Sequence, residues 1–154
     1  MKKTDTIAAI ATALGESGIG IIRITGDQAF NVLLKIFKSK KVKKIEDIVP
    51  NTIIYGKIYE EDRMIDEVLV SFFKSPNSYT KEDLVEINTH GGSIVMKEIL
   101  DLVLRSGAIL AQPGEFTKRA FLNGRIDLTK VESIATILNA KSEEELRISG
   151  ELLQ

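Results

Sequence analysis

The sequence of 154 residues has no cysteine and a single histidine. The first absence removes disulfides, thiolate metal sites and thiol nucleophiles together. The second makes a histidine-rich zinc site impossible and leaves little basis for a Ser-His-Asp triad. No stretch approaches the ~18 consecutive apolar residues of a membrane-spanning helix. The opening Lys2-Lys3 is not followed by the unbroken apolar run of a secretory leader, because Thr4, Asp5, Thr6 and Thr12 interrupt it. A cytoplasmic protein with no membrane association is therefore expected. Charge of one sign is lacking as well: 21 Lys and Arg stand against 22 Asp and Glu. A chain-wide basic surface for a nucleic acid is thus not the first reading. Also missing is a Walker A loop. The one Gly-Lys pair, Gly56-Lys57, is followed by Ile58 and has Asn51 where the leading glycine would stand.

The residues present have a globular balance, with 44% hydrophobic and 28% charged. A chain of this length buries roughly 68–70% of its unfolded surface. Residues 6–14 and 19–25 are β-branched and apolar, and predict two strands joined by Gly15-Glu-Ser-Gly18. That joint has glycines in a nucleotide-loop style, but the segment after it is strand-like rather than helical, so the dinucleotide reading fails. Gly26-Asp27 offers a helix start, with Phe30, Leu33, Leu34 and Phe37 on one face. Six lysines crowd residues 35–44, either as a solvated helix end and loop or as a local phosphate-contacting patch.

Two alternating strands, 52–59 and 64–73, flank a hairpin loop at Glu60-Glu-Asp-Arg63. Pro76-Asn77-Ser78 forms a turn, and Leu84–Thr89 a strand with Val85, Ile87 and Thr89 on one face and Glu86 and Asn88 on the other. His90-Gly91-Gly92-Ser93 then turns into an amphipathic helix carrying Val95, Ile99, Leu102 and Val103, stopped by Gly107. The turn reads either as tight glycine geometry with Ser93 as N-cap, or as helix-start amides that cradle an anionic ligand. A short strand at 108–111 and Gln112-Pro113-Gly114 lead into a small helix ending at Asn123-Gly124. From Asp127 an apolar stripe (Leu128, Val131, Ile134, Ala135, Leu138, with Leu146 and Leu152-Leu153 beyond) predicts a helix of roughly 40 Å. Such a stripe needs a partner, so either the chain dimerises there or a longer natural chain continues.

Two polar residues stand out within apolar strand sequence. Arg23 lies in Ile21-Ile22-Arg23-Ile24, and Glu86 lies between Val85 and Ile87. Each either reaches water or pairs with something, and together they could read a ligand with anionic and N–H edges. Pro113–Arg125 adds a turn, a short helix, two Phe and three cations (Lys118, Arg119 and Arg125), a string that no packing need selects.

Four blocks now carry a resemblance: Asp5–Thr12, Gly18–Gly26, Ser78–Gly92 and Pro113–Thr129. In this order they resemble the N-terminal region of the bacterial tRNA-modification GTPases of the MnmE or TrmE family. The resemblance implies an α+β fold with a folate-binding-type mixed sheet, like the folate domains of glycine-cleavage T-protein enzymes. It divides the chain into a tetrahydrofolate-binding and homodimerising domain at 1–120 and the start of an all-helical domain at 121–154. The implied cofactor is 5-formyl- or methylene-tetrahydrofolate; GTP, magnesium and potassium belong to a GTPase domain that this sequence lacks. The implied partners are a second copy, an FAD-dependent flavoprotein of the GidA (MnmG) type, and tRNA through the full complex. The implied activity of that complex is addition of a carboxymethylaminomethyl-type group at carbon 5 of the wobble uridine. By position, the folate contacts fall on Arg23, Glu86 and Arg125, the last commonly Lys in relatives. A carboxylate suits the N–H edge of a pterin, and cations suit the glutamyl carboxylates. Relatives usually carry Pro-rich residues where Ala13-Leu14 stand and Gly where Lys81 stands, both turn positions. A stand-alone folate-binding or scaffold domain without catalysis is the alternative.

Overall fold

The computed structural model describes residues 5–11 and 19–124. In chain order these form β1 (Ile7–Ile10), β2 (Gly20–Thr25), α1 (Ala29–Leu34), β3 (Phe37–Lys38), β4 (Thr52–Glu60), β5 (Arg63–Phe73), β6 (Leu84–Thr89), α2 (Gly92–Arg105), β7 (Ile109–Leu110) and α3 (Glu115–Leu122). The strands make one sheet in the order β3-β4-β5-β6-β2-β1-β7. Every pairing is antiparallel except the edge pair of β1 with β7. A parallel neighbour needs a long crossover, and the chain from β1 to β7 includes all the other described strands and both α1 and α2. The mixed sheet with helices that the α+β expectation called for is therefore present.

Alternation assigns the two faces. Ile22 and Ile24 of β2, Val68, Val70 and Phe72 of β5, and Val85 and Ile87 of β6 point into one fully buried core. Phe30 and Leu33 of α1 and Met96, Ile99 and Val103 of α2 close that core from the same side. Burying such side chains is what holds the layers together, at about 1.5–3 kcal/mol each before the entropy of ordering is counted. The intervening residues of the same strands, Arg23 and Glu86 among them, must face the other way.

The helix after Gly26 is shorter than the apolar spacing predicts. It ends at Leu34, and Phe37 lies on β3 opposite Ile58, its ring filling the space that a Cβ on Gly56 would occupy. A six-residue helix is marginal on its own, and pairing of the chain with β4, including the bond from Tyr59 N to Ile36 O at 2.8 Å, replaces a further helical turn. Phe37 is buried either way. The segment from Asp127, Arg125, and the Gly15-Glu-Ser-Gly18 joint lie outside the described residues. No helix among the described residues is long and apolar enough to cross a membrane.

Candidate functional site

Register brings the two conspicuous polar residues together. Arg23 on β2 stands directly opposite Glu86 on β6, and the row continues to Ala9 on β1 and Ser71 on β5. Arg23 Nη2 and Glu86 Oε1 are 3.5 Å apart, with both side chains about a quarter exposed. A charge-assisted N–H···O bond between such groups normally measures about 2.7–2.9 Å, so the two are held near each other without being fully engaged. Arg23 Nε is buried and makes no hydrogen bond. A buried donor without an acceptor is costly, and here it marks a place where an incoming acceptor would be favoured.

Over this row sits α3. Its start is set by Gly114, whose φ of 75° lies in the left-handed region that glycine adopts without strain. The helix then carries Phe116 across the Arg23 guanidinium, which lies 5.6 Å from the ring centroid, within the ~6 Å reach of a cation–π contact. Facing α3 is the loop after Pro76. Its Tyr79 hydroxyl and the Thr117 hydroxyl share a hydrogen bond at 3.1 Å. Between these segments and β1 opens a cleft of about 590 Å³, lined by Ile10, Arg23, Tyr79, Pro113, Phe116 and Thr117 among others. This falls in the size range of small-molecule pockets, about 300–1,000 Å³. Glu86 is not on the cleft wall; it adjoins the cleft from behind Arg23.

A second set of residues joins the walls of the cleft, and sequence reasoning missed it. Arg119 on α3 is buried and donates from Nη1 to both oxygens of Glu82, at 3.1 and 3.4 Å. Glu82 Oε1 also accepts from Thr25 Oγ1 at 3.0 Å, and Thr25 shares a 2.6 Å hydrogen bond with Thr80. Asn123 Nδ2, just after the helix, donates to Thr80 O at 2.8 Å. The Glu115 to Arg119 spacing, met in the structure at 3.6 Å, was the only local signal that this arginine has a structural place. Its main partner lies 37 residues away and has no signature of its own.

The glycine turn at His90 has the unusual dihedral of its first reading, at Gly92 with φ of 85°, but not the expected cap. The helix N-cap is Gly91, not Ser93, and no side chain of the helix caps it. The two amides leading into the helix are bound by Asp66 Oδ2 on β5, which accepts from His90 N at 2.8 Å and from Gly91 N at 3.1 Å. A carboxylate of the chain itself thus stands at this helix start, where the helix dipole favours negative charge. His90 Nδ1 lies 3.1 Å from Glu67 O. Of the lysines at 35–44, Lys35 donates to Ser106 O at 2.9 Å, while Lys38, Lys40 and Lys41 border a second groove of about 720 Å³ with Tyr55 and Lys57. That groove is larger than the cleft, yet among the described residues it holds no pair of opposed charges or unsatisfied buried donor comparable to Arg23.

Comparison with known proteins agrees with this chain-wide pattern. Residues 6–125 match the family described as the GTP-binding protein TrmE N-terminus. The tRNA modification GTPase MnmE of Alkaliphilus oremlandii is 58% identical over 142 residues, covering 91% of this chain and 31% of that protein. The proteins of the same name from Lachnoclostridium phytofermentans and Streptococcus mutans are each 52% identical, covering 99% and 97% of this chain and 33% and 32% of their own lengths. The chain therefore spans about a third of the length of the curated relatives it matches.

Proposed function

The chain belongs to the TrmE N-terminal family, and on that footing we propose that the cleft over Arg23 binds a reduced folate carrying a one-carbon unit. The observation that supports this most is the Arg23–Glu86 juxtaposition on rigid neighbouring strands, with a buried guanidinium N–H lacking an acceptor. The donor set fits such a ligand. A carboxylate can accept from the N–H edge of a pterin, a guanidinium can meet a carboxylate or carbonyl, and an aromatic ring offers a flat wall to a flat heterocycle. Arg23 would hold an acceptor group, Glu86 an N–H edge reaching past Arg23, and Phe116 and Tyr79 would enclose the ring. Arg125 is the third residue of the set. When bound, 5-formyl- or methylene-tetrahydrofolate supplies the carbon; this chain's residues bind, orient and shield it.

In this reading the fold is the folate-domain type of glycine-cleavage T-protein enzymes, and the domain acts as a homodimer. It forms the N-terminal part of a GTPase whose remaining domains bind GTP, magnesium and potassium. With an FAD-dependent partner of the GidA (MnmG) type, that protein would modify carbon 5 of the wobble uridine in tRNA in the cytoplasm. The support is the family membership and the names of the relatives.

Calorimetric titration of the chain with 5-formyltetrahydrofolate tests the site. Saturable binding is expected, weakened at least about tenfold by Arg23→Ala and by Glu86→Ala, as loss of a charge-assisted hydrogen bond implies. Unchanged affinity in both variants would overturn the assignment.

A further inference from the structure

The two segments that enclose the cleft are tied together beneath it. The loop bearing Tyr79 contributes Glu82 and Thr80; α3, bearing Phe116 and Thr117, contributes Arg119. Arg119 and Ala120 are the two buried residues of that eight-residue helix. Among the described residues, apolar burial alone therefore gives α3 little to fix its rotation about its own axis. A planar guanidinium with Nη1 on Glu82 and Nη2 3.6 Å from Glu115 does constrain rotation, because its donors point in fixed directions. Arg119 is three residues beyond Phe116, so the two project on neighbouring parts of the same face. On the strand side, Glu82 is held by Thr25, two residues along β2 from Arg23 and on the same face of the sheet. The tie thus connects the strand that carries Arg23 to the helix that carries the ring above it.

We propose that the Glu82–Arg119 ion pair is the positioning device of the cleft, setting α3 so that Phe116 lies over Arg23 and Thr117 meets Tyr79. As a statement about ligand binding it rests on the folate reading; as a statement about geometry it does not. Arg119 and Glu82 are positioning residues, since neither lines the cleft.

The test uses the full chain and two separate readouts. The first is the Arg23 Nε–H resonance by NMR, shifted by the ring current of Phe116; Phe116→Leu establishes how much of its position is owed to that ring. The second is calorimetric affinity for 5-formyltetrahydrofolate. The principal variant replaces both charges together, Glu82→Met with Arg119→Met, because removing a buried pair as a unit is tolerated far better than stranding one charge. Arg119→Lys, which keeps the charge and loses the planar guanidinium, and Glu82→Gln accompany it. The double variant is expected to fold cooperatively, to move the Arg23 resonance towards its position in Phe116→Leu, and to weaken folate binding at least about tenfold, as a misplaced site wall should. A folded double variant with the wild-type resonance and affinity would overturn the proposal. If the double variant fails to fold, Arg119→Lys and Glu82→Gln are judged on the same resonance. Absence of folate binding by the unaltered chain would overturn the folate reading alone, and the resonance would still decide the positioning role.

Discussion

Arg23 and Glu86 face each other across the β2–β6 ladder at 3.5 Å, each flanked along its own strand by fully buried residues. Their neighbours Ile22, Ile24, Val85 and Ile87 anchor the strands in the core, so the pair is held rigidly by packing that it does not itself provide. Its purpose is thereby separable from stability. Partly exposed ion pairs contribute about 0–1 kcal/mol. Glu86→Gln and Arg23→Gln should each change the free energy of unfolding in urea by no more than about 1 kcal/mol. A loss of several kcal/mol in either would mean that the pair belongs to the core and is not kept for a ligand.

Lys81 occupies a left-handed backbone conformation, with φ at 61°. That region is one glycine adopts without strain. The turn is closed by Lys81 N donating to Ser78 O at 3.1 Å and by Ser75 Oγ donating to Lys81 O at 2.9 Å. A side chain there costs roughly 1–2 kcal/mol against the adjacent carbonyl, partly offset by the greater freedom of glycine in the unfolded chain. Lys81→Gly is expected to raise stability by about 0.5–1 kcal/mol in a denaturant titration. Lys81→Val should lower it, since a β-branched residue tolerates that region least.

Asp66 fixes the entry to a helix that is distant in sequence. Its carboxylate accepts from the amides of His90 and Gly91, the two residues that lead into α2. Asp66→Ala should therefore destabilise the chain by about 0.5–1.5 kcal/mol, the net worth of an intramolecular hydrogen bond. Asp66→Asn, which keeps an acceptor oxygen, should recover a good part of this. Hydrogen exchange at His90 and Gly91 gives a site-specific check: both amides should exchange faster in the alanine variant.

Glu60 ends β4 between two arginines, Arg63 at 3.0 Å across the hairpin turn and Arg105 of α2 at 2.9 Å. The hydrogen bond from Arg63, then that from Arg105, holds its carboxyl below the ordinary carboxylate range. A group with a depressed folded-state pKa contributes stability above its unfolded pKa and loses that contribution as pH falls through the folded value. The carboxyl-carbon titration of Glu60 should accordingly have a midpoint below that of a free glutamate. It should move up in Arg63→Ala and, to a lesser degree, in Arg105→Ala. An unshifted midpoint in the unaltered chain would show that these exposed contacts do not persist in solution.

The local elements are largely legible in the sequence. Alternation announces β5 and β6, Gly107 stops α2 where expected, and Glu61-Asp62 turns the β4–β5 hairpin inside the charged loop. These signals work because they are local: side-chain period reports which face is buried, and turn residues report where the backbone must reverse. Phe37 departs from the pattern. A period of 3.6 assigns it to α1, while the available partner edge of β4 makes a strand the better use of Ile36 and Phe37. The short β3 has no signal apart from that partner.

Residue order alone establishes that Arg23 and Glu86 interrupt two apolar strands, and alternation requires each to point away from the core. It also establishes the absence of thiol chemistry and of a Walker A loop, because those depend on residue types. That the two residues stand opposite one another is a matter of tertiary packing. A ladder register joins positions 63 residues apart, and a shift of one would have turned either side chain to the other face. The same holds for Arg119 with Glu82 and for Asp66 with the start of α2. A charge in a sequence announces that a partner is needed, whereas the choice of partner is made where the packed sheet and helices bring distant segments within hydrogen-bonding distance.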